Sequence, residues 1–300
     1  MLQALIDRIA TIVLGKRRQI KLAVACLLAR GHLLIEDVPG TGKTTLAHAL
    51  AYLLGLTYQR VQFTSDLMPA DILGAVVLDP ETGRWLLRRG PIFHQVVVAD
   101  EINRAPPKTQ SALLEAMEER QVSLENETYP LPEPFFVIAT QNPLHQTGTF
   151  PLPESQLDRF LMRITLGYPD EEAERKLLRS GDRRPVLAQL KPQLSPEALL
   201  EWQQAVDRIY VSEPLLDYLQ ALLIYSRSAP EYPLGLSPRA GLALLQAAKA
   251  WAFLEGREAV YPEDVRAVLP AVAAHRLLPD APLHEKERVV EPLLENVPIP

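Results

Sequence analysis

Leu33-Leu34-Ile35-Glu36-Asp37-Val38-Pro39-Gly40-Thr41-Gly42-Lys43-Thr44 is the stretch that decides the fold of this chain. A short apolar run comes first, then a glycine-containing turn, and then a helical pattern that covers residues 46–54. Glycines let backbone N–H groups crowd around phosphates, a lysine reaches the β- and γ-phosphate oxygens, and a hydroxyl holds Mg²⁺. The stretch therefore predicts a P-loop that binds a nucleoside triphosphate together with Mg²⁺.

The predicted nucleotide-binding residues of this loop are Asp37, Val38, Pro39, Gly40, Thr41, Gly42, Lys43, Thr44 and Thr45. One position departs from the usual G-x-x-x-x-G-K-[ST] pattern, because Asp37 replaces the first glycine. Aspartate can hydrogen-bond its own nearby backbone and so hold a turn that glycine would otherwise form. We therefore expect the loop to keep its shape.

A second motif, Val96-Val97-Val98-Ala99-Asp100-Glu101, is apolar throughout and ends in two carboxylates. Strands of parallel sheets are covered on both faces and run continuously apolar, so this motif predicts a buried strand. Ligands of open α/β sheets bind at the carboxyl ends of such strands. We expect Asp100 to hold Mg²⁺ together with Thr44, and Glu101 to orient or deprotonate the attacking water. The alternative for the Asp-Glu pair is a solvated helix start.

Composition and charge restrict the class of protein. The 300 residues suffice for two domains, and the formal net charge is −6, so no global basic field attracts nucleic acid. No apolar run approaches the eighteen or so residues that favour a membrane span. The single cysteine, Cys26, and a charged N-terminal segment without a cleavage site favour a reducing compartment. We expect a cytoplasmic protein.

The order of strand and helix patterns predicts an α/β fold with a parallel sheet covered by helices. Strands are expected at 33–35, 58–63, 96–99 and 135–139, and helices at 19–30, 46–54 and 110–119. Two hairpins, 76–87 and 122–129, interrupt this alternation. Helical periodicity then covers 199–209, 214–226, 238–253 and 262–275. The predicted domains are an α/β nucleotide-binding core at 1–169 and an all-α lid at 170–300.

Three polar residues become candidates once a nucleotide site is accepted. Asn142 follows an apolar strand whose end points to the same sheet edge, where it could hold the attacking water or the γ-phosphate. Arg159 could donate two hydrogen bonds to developing phosphate charge. Arg239 begins a lid helix, from which it could reach back to the nucleotide. By physical reasoning alone, a surface or capping role is open for each of them.

The chain resembles the MoxR family of AAA+ ATPases over nearly all its length. Five segments carry the resemblance: EDVPGTGKT (36–44), ADEINRAPPKTQSALLEAM (99–117), ATQNP (139–143), LPESQLDRF (152–160) and SPRA (237–240). The resemblance implies ATP as the nucleotide, Asn142 as the sensor-1 residue, Arg159 as a finger that acts on a neighbouring subunit, and Arg239 as the sensor-2 arginine. It also implies that Gly15 lies near the adenine.

The resemblance further implies a homo-oligomer, expected to be a hexameric ring, in which ATP hydrolysis drives chaperone-like remodelling or maturation of a client protein. It implies a partner that carries a von Willebrand factor A domain, and it matches the hairpins to the helix-2 and pre-sensor-1 insertions. Three alternatives stay open: a metal-chelatase-type motor subunit, a DNA-acting AAA+ motor, and a nucleotide-gated scaffold that does not hydrolyse. The sequence leaves the client and the ring size undetermined.

Overall fold

A five-stranded parallel sheet lies at the centre of the first half of the chain. The computed structural model describes residues 2–125, 127–142, 148–180, 192–278, 282, 285 and 288–299. The strands are β1 Leu33–Glu36, β2 Tyr58–Gln62, β3 Gly74–Leu78, β4 Trp85–Arg89, β5 Val96–Asp100, β6 Gln121–Leu124, β7 Glu127–Pro130, β8 Phe136–Gln141 and β9 Met162–Ile164. The central sheet has the order β2-β5-β8-β1-β9, and every pairing within it is parallel.

Helices cover both faces of this sheet and form most of the second half. They are α1 Leu2–Ala10, α2 Arg17–Leu28, α3 Lys43–Leu53, α4 Pro69–Leu73, α5 Pro107–Glu119, α6 Glu154–Leu157, α7 Glu171–Ser180, α8 Pro196–Asp207, α9 Glu213–Ser228, α10 Pro238–Leu254, α11 Pro262–Leu277 and α12 Glu291–Asn296. The predicted strands and helices are confirmed, with ends that differ by a few residues. None of the described helices combines the length and apolarity needed to cross a membrane.

The central strands are apolar without interruption because each face packs on a different core. Val96 and Val98 of β5 belong to a cluster that extends into α1, α2, α3 and the C-terminal helices. Val97 and Ala99 point to the opposite face, into a cluster formed mainly with α5. All five residues of β5 are buried. Burial on both faces therefore explains the pattern that predicted this strand.

Strand order brings the ends of β1, β5 and β8 together. Strand β8 lies between the other two, with Ala139 beside Leu34 of β1 and beside Ala99 of β5. The P-loop follows β1, the acidic pair ends β5, and Asn142 follows β8. The register therefore gathers three motifs that are far apart in sequence at one edge of the sheet.

The C-terminal helices begin where the sequence predicts. Ser195 and Ser237 are the N-cap residues of α8 and α10, and each side chain accepts a hydrogen bond from the backbone N–H three residues later. These helices pack on α2, where Gln203 Nε2 donates to Leu27 O at 2.8 Å. Their residues and those of the sheet share one apolar cluster, and the boundary at residue 169 stays a prediction.

Both predicted hairpins are confirmed as separate two-stranded antiparallel sheets. Val76 of β3 lies opposite Leu87 of β4, and Val122 of β6 lies opposite Tyr129 of β7. Strand β9, by contrast, was not predicted. It has only three residues and includes the charged Arg163, whose guanidinium lies 3.5 Å from the Glu36 carboxylate inside the protein. Because a charged residue interrupts its apolar pattern, hydrophobicity did not predict this short strand.

Candidate active site

The loop between β1 and α3 leaves its backbone open towards a cavity. Gly40 and Gly42 have φ angles of +88° and +93°, a region that glycine adopts without steric cost. Gly42 directly precedes α3, so the unpaired N–H groups of the first helical turn add to the favourable field for an anion. The cavity measures about 570 Å³ and is lined by Pro39, Gly40, Gly42, Lys43, Thr44, Thr45, Asp100, Glu101 and Asn142.

Asp37 ties the start of the loop to two backbone groups. Its Oδ1 accepts a hydrogen bond from the Val38 N–H at 2.7 Å, as expected for an aspartate that stabilises its own turn. Its Oδ2 accepts from the N–H of Gly167 at 2.6 Å, a contact across the chain that the sequence did not indicate. Asp37 is only 2% exposed. The residue that departs from the P-loop pattern therefore anchors the loop to the segment before α7.

Lys43 points its ammonium group into a cluster of oxygen atoms. Nζ donates to the carbonyl oxygens of Asp37 and Val38 at 2.7 and 2.9 Å, and to Asn142 Oδ1 at 3.2 Å. Burial lowers the pKa of Lys43, while the charges of Asp37, Asp100 and Glu101 act in the opposite direction. The ammonium is thus placed at the cavity floor, where triphosphate oxygens would replace its present acceptors.

Asp100 lies within reach of the P-loop hydroxyl. Thr44 Oγ1 is 3.4 Å from Asp100 Oδ2, and the same oxygen accepts from Nε of Arg60 at 3.1 Å. The other carboxylate oxygen accepts from the hydroxyl of Thr140. A hydroxyl beside a carboxylate is the hard-oxygen pair that Mg²⁺ prefers. Thr44 and Asp100 therefore fit the predicted metal position, with Arg60 as a neighbour that the sequence did not reveal.

Glu101 is held by three side chains. Its Oε1 accepts from Asn142 Nδ2 at 2.9 Å, and its Oε2 accepts from Gln62 Nε2 at 3.0 Å and from Arg104 Nη1 at 2.8 Å. Its backbone has a φ of +57°, uncommon for a residue other than glycine and typical of functional turns. The N–H of Glu101 donates to Thr140 Oγ1 at 3.0 Å. The carboxylate is therefore fixed at the cavity wall.

Asn142 joins the two motifs directly. Its amide oxygen accepts from Lys43 and its amide nitrogen donates to Glu101, so one buried side chain contacts both the P-loop lysine and the acidic pair. Its carbonyl oxygen accepts from Asn103 Nδ2 at 3.3 Å. Gln110 fixes the same turn, because its Nε2 donates to the carbonyl oxygens of Ile102 and Ala105. These contacts explain why amide residues follow the acidic pair in the 99–117 segment.

An apolar cavity of about 470 Å³ shares Gly40, Gly42 and Thr45 with the P-loop cavity. Its lining is Ile12, Val13, Leu14, Lys16, Gly40, Thr41, Gly42, Thr45, Tyr168, Pro169, Glu174, Leu177 and Leu178. Gly15 is flanked by two of these residues, and its φ of +71° and a Cβ contact of 3.0 Å with Ala173 demand glycine. The cavity is large enough for a nucleotide base, and the position of Gly15 near the adenine stays a prediction.

Arg159 and Arg239 lie together in a different place. Both line a third cavity of about 330 Å³, and both pair with the carboxylate of Glu118. Among the described residues, neither arginine lines the two cavities at the P-loop. The expectation that Arg239 reaches back to the nucleotide stays a prediction, and in this structure its guanidinium pairs with Glu118. Helix α10 begins beside the end of α5, where Glu118 pairs with Arg239.

Comparisons with known proteins agree with this geometry. Residues 32–162 match the model of the ATPase family associated with various cellular activities (AAA), and residues 224–294 match an AAA lid domain. Uncharacterized protein YeaC of Bacillus subtilis is 40% identical over 98% of this chain and 93% of its own length. Chaperone MoxR1 of Mycobacterium tuberculosis is 39% identical over 100% of this chain and 82% of its own length.

Two further comparisons cover almost the whole chain. Protein MoxR of Paracoccus denitrificans is 35% identical over 96% of this chain and 93% of its own length. A crystal structure from Cytophaga hutchinsonii superposes with a TM-score of 0.87 at 35% identity and covers 99% of this chain and 94% of that one. The predicted fold, an AAA+ core followed by a helical lid, is thereby confirmed. The chain belongs to the MoxR family of AAA+ ATPases and is an ATP hydrolase.

Proposed function

We propose that this chain forms a ring that hydrolyses ATP with Mg²⁺ to remodel a client protein or complex. The observation that carries the chemistry is the hydrogen-bonded series Lys43–Asn142–Glu101. It joins a phosphate-binding lysine to a carboxylate through one amide, so occupancy of the P-loop is coupled to the orientation of Glu101. Such coupling suits an enzyme whose hydrolysis depends on correct placement of the γ-phosphate.

Thr44 and Asp100 would hold Mg²⁺, which neutralises charge on the phosphate oxygens when it is bound. Lys43 exchanges its present carbonyl acceptors for triphosphate oxygens, because a charged acceptor makes a stronger hydrogen bond than a neutral one. Arg60, half exposed and paired with Asp100, holds that carboxylate in place. The backbone N–H groups of Gly40 and Gly42 complete the phosphate site.

Glu101 acts as the general base or orients the attacking water. Its three donors fix the orientation of the carboxylate, and a positioned carboxylate can accept the proton of a water molecule. Arg104 and Gln62 are more exposed than Asn142. Water can therefore replace Glu101 as their hydrogen-bond partner during turnover. A pure nucleotide sensor has no need of a carboxylate at this position, which argues against the scaffold alternative.

The position of Arg159 supports a ring in which each subunit completes its neighbour's site. An arginine that acts on transferring phosphate must approach it closely, and Arg159 lies at a cavity apart from the P-loop of its own chain. Arg239 lies beside it, so both guanidinium groups would act on a neighbouring subunit. A six-membered ring, a client protein and a partner with a von Willebrand factor A domain complete the proposal, and the chaperone name of the MoxR1 relative is in line with a client.

The contacts of one basic run argue against the DNA-motor alternative. In Lys16-Arg17-Arg18, Lys16 is buried and donates to Tyr168 O at 2.6 Å, and Arg17 pairs with Asp7. Arg183 and Arg184, the other basic pair, lie outside the described residues. We expect DNA to leave hydrolysis unchanged at physiological salt. Stimulation by DNA that persists at this salt would favour the motor instead.

Two variants test the chemistry. Lys43→Ala should lose both ATP affinity and turnover, whereas Glu101→Gln should retain affinity and lose turnover by roughly 100-fold or more. Equilibrium binding of a fluorescent ATP analogue and steady-state phosphate release measure the two quantities. Glu115→Gln, a change of an exposed carboxylate on α5, is the matched control. Near-normal turnover of Glu101→Gln would remove this residue from the mechanism.

The ring is tested with Arg159→Ala. If Arg159 acts on a neighbour, specific activity of the unmodified protein rises with its concentration through the assembly range. The variant should bind ATP normally and hydrolyse it slowly at every concentration. Full activity of a monomer, measured beside its sedimentation profile, would contradict assembly-dependent hydrolysis.

A further inference from the structure

Glu118, in the last turn of α5, binds two arginines that come from different parts of the chain. Its Oε1 lies 2.6 Å from Nη2 of Arg239, the second residue of α10. Its Oε2 pairs with Nη1 of Arg159, which lies between α6 and β9. A single carboxylate thus connects the sheet-containing part of the chain with the C-terminal helices.

The other arginines of this cavity that form described ion pairs have their own carboxylates. Arg30 pairs with Asp207 and Arg276 pairs with Asp158, each at 2.6 Å. Glu118 alone, among the described pairs, serves two guanidinium groups. Counted over the described ion pairs, the Arg159–Glu118–Arg239 group carries one net positive charge beside a cavity of about 330 Å³. An external anion would complete the charge balance of this group.

Both arginines keep donors for such an anion. A guanidinium carries five N–H donors in a planar fork. Arg159 uses Nη1 for Glu118 and for the carbonyl oxygen of Leu114 at 3.1 Å, and Arg239 uses Nη2 for Glu118. In the described contacts, Nε and Nη2 of Arg159 and Nε and Nη1 of Arg239 are not engaged. Glu118 therefore fixes the two side chains without consuming their capacity to bind phosphate.

We propose that Glu118 is a positioning residue that holds Arg159 and Arg239 as a pair on the face that meets the nucleotide of a neighbouring subunit. This inference rests on the proposed action of both arginines in trans. Arginine side chains lose considerable rotamer freedom when they are fixed, and Glu118 makes that loss occur before the phosphate arrives. One arginine belongs to α10 of the lid and the other precedes β9 of the core. The same carboxylate therefore also holds the lid against the core at this face.

Glu118→Ala tests the inference, with Glu115→Ala as the control on the same helix. Glu115 is exposed, lies one turn earlier, and is changed to the same residue, so both variants alter helix propensity equally. We expect Glu118→Ala to bind ATP at its own P-loop with unchanged affinity. Its kcat in assembled protein should fall about 10- to 100-fold, the loss typical of a misplaced catalytic group. Activity of Glu118→Ala equal to that of the control would overturn the inference.

Mixed assemblies separate a positioning role from a structural one. A Glu101→Gln subunit hydrolyses ATP roughly 100-fold or more slowly, but it offers an intact Arg159–Glu118–Arg239 group to its neighbour. Adding it in excess to Glu118→Ala should therefore restore several-fold turnover at the P-loop of the Glu118→Ala subunit. If Glu118→Ala stays inactive while Arg159→Ala is rescued by the same partner, Glu118 acts only within its own chain and the inference fails.

The parallel mixture of Arg159→Ala with Glu101→Gln tests the premise. Absence of rescue in that mixture would refute action in trans and, with it, both the proposed ring chemistry and the role of Glu118. Rescue in that mixture together with normal activity of Glu118→Ala would refute the role of Glu118 alone. The Glu118→Gln variant retains one acceptor oxygen for one of the two arginines, so its kcat should lie between those of the unmodified protein and Glu118→Ala.

Discussion

Replacing Asp37 by glycine would bring the chain closer to the usual P-loop pattern, and we expect it to destabilise the protein. Asp37 is buried, and its carboxylate accepts hydrogen bonds from the N–H groups of Val38 at 2.7 Å and Gly167 at 2.6 Å. A hydrogen bond to a charged group contributes about 1.5 to 3 kcal/mol. Loss of both bonds should therefore lower the free energy of unfolding by about 3 to 6 kcal/mol, and the added backbone freedom of glycine lowers it by up to about 1 kcal/mol more.

Thermal unfolding followed by circular dichroism measures this effect. For domains of this size, each kcal/mol shifts the melting temperature by about 2 to 4 °C, so Asp37→Gly should melt about 6 °C or more below the unmodified protein. Asp37→Asn keeps one acceptor oxygen and should lose about half as much. Asp66→Gly, at an exposed loop aspartate, should change the melting temperature by about 2 °C or less. A melting temperature of Asp37→Gly at or above that of the unmodified protein would refute the reasoning.

Two further predictions follow from other contacts. Asn142→Ala removes the amide between Lys43 and Glu101, so phosphate release should slow by about 10-fold or more while affinity for an ATP analogue changes little; equal losses in affinity and turnover would contradict a role in orienting Glu101. The second concerns pH, because burial lowers the pKa of His32 to about 4, with Nδ1 accepting from the Val137 N–H and Nε2 beside Met117 O. The unfolded state then binds the proton more readily than the folded state, so the contribution of this residue to stability is complete above about pH 6.5 and is lost as pH falls towards 4, by about 3 kcal/mol in total. The melting temperature of His32→Gln should depend less on pH across this window, and an unchanged pH dependence would exclude His32 as its source.

The local elements of the active site follow from the sequence because each depends on neighbours along the chain. Strand β5 is recognisable since both its faces are buried, and the P-loop since Gly40 and Gly42 need positive φ angles that glycine adopts freely. The helix starts at Ser195 and Ser237 follow from side-chain capping within three residues. Sequence patterns with periods of two or 3.6 residues carry this information directly.

Strand order, by contrast, was decided by the tertiary structure. The sheet order β2-β5-β8-β1-β9 puts Gln62 of β2 within 3.0 Å of Glu101, and nothing in the spacing of those residues indicates this contact. Strand β9 escaped detection because its buried Arg163 depends on Glu36 as a partner. A buried strand tolerates a charged residue when an oppositely charged partner lies beside it. The sequence alone does not identify that partner.

The sequence by itself therefore determined the local elements from which the nucleotide site is predicted: a P-loop, a buried strand that ends in two carboxylates, and an amide after the next strand. Only the tertiary structure decided that Asp37 is anchored by Gly167, 130 residues away, and that Arg239 pairs with Glu118, 121 residues away. The physical reason is that backbone geometry and burial are read from adjacent residues, whereas ion pairs between distant segments depend on how helices and strands pack.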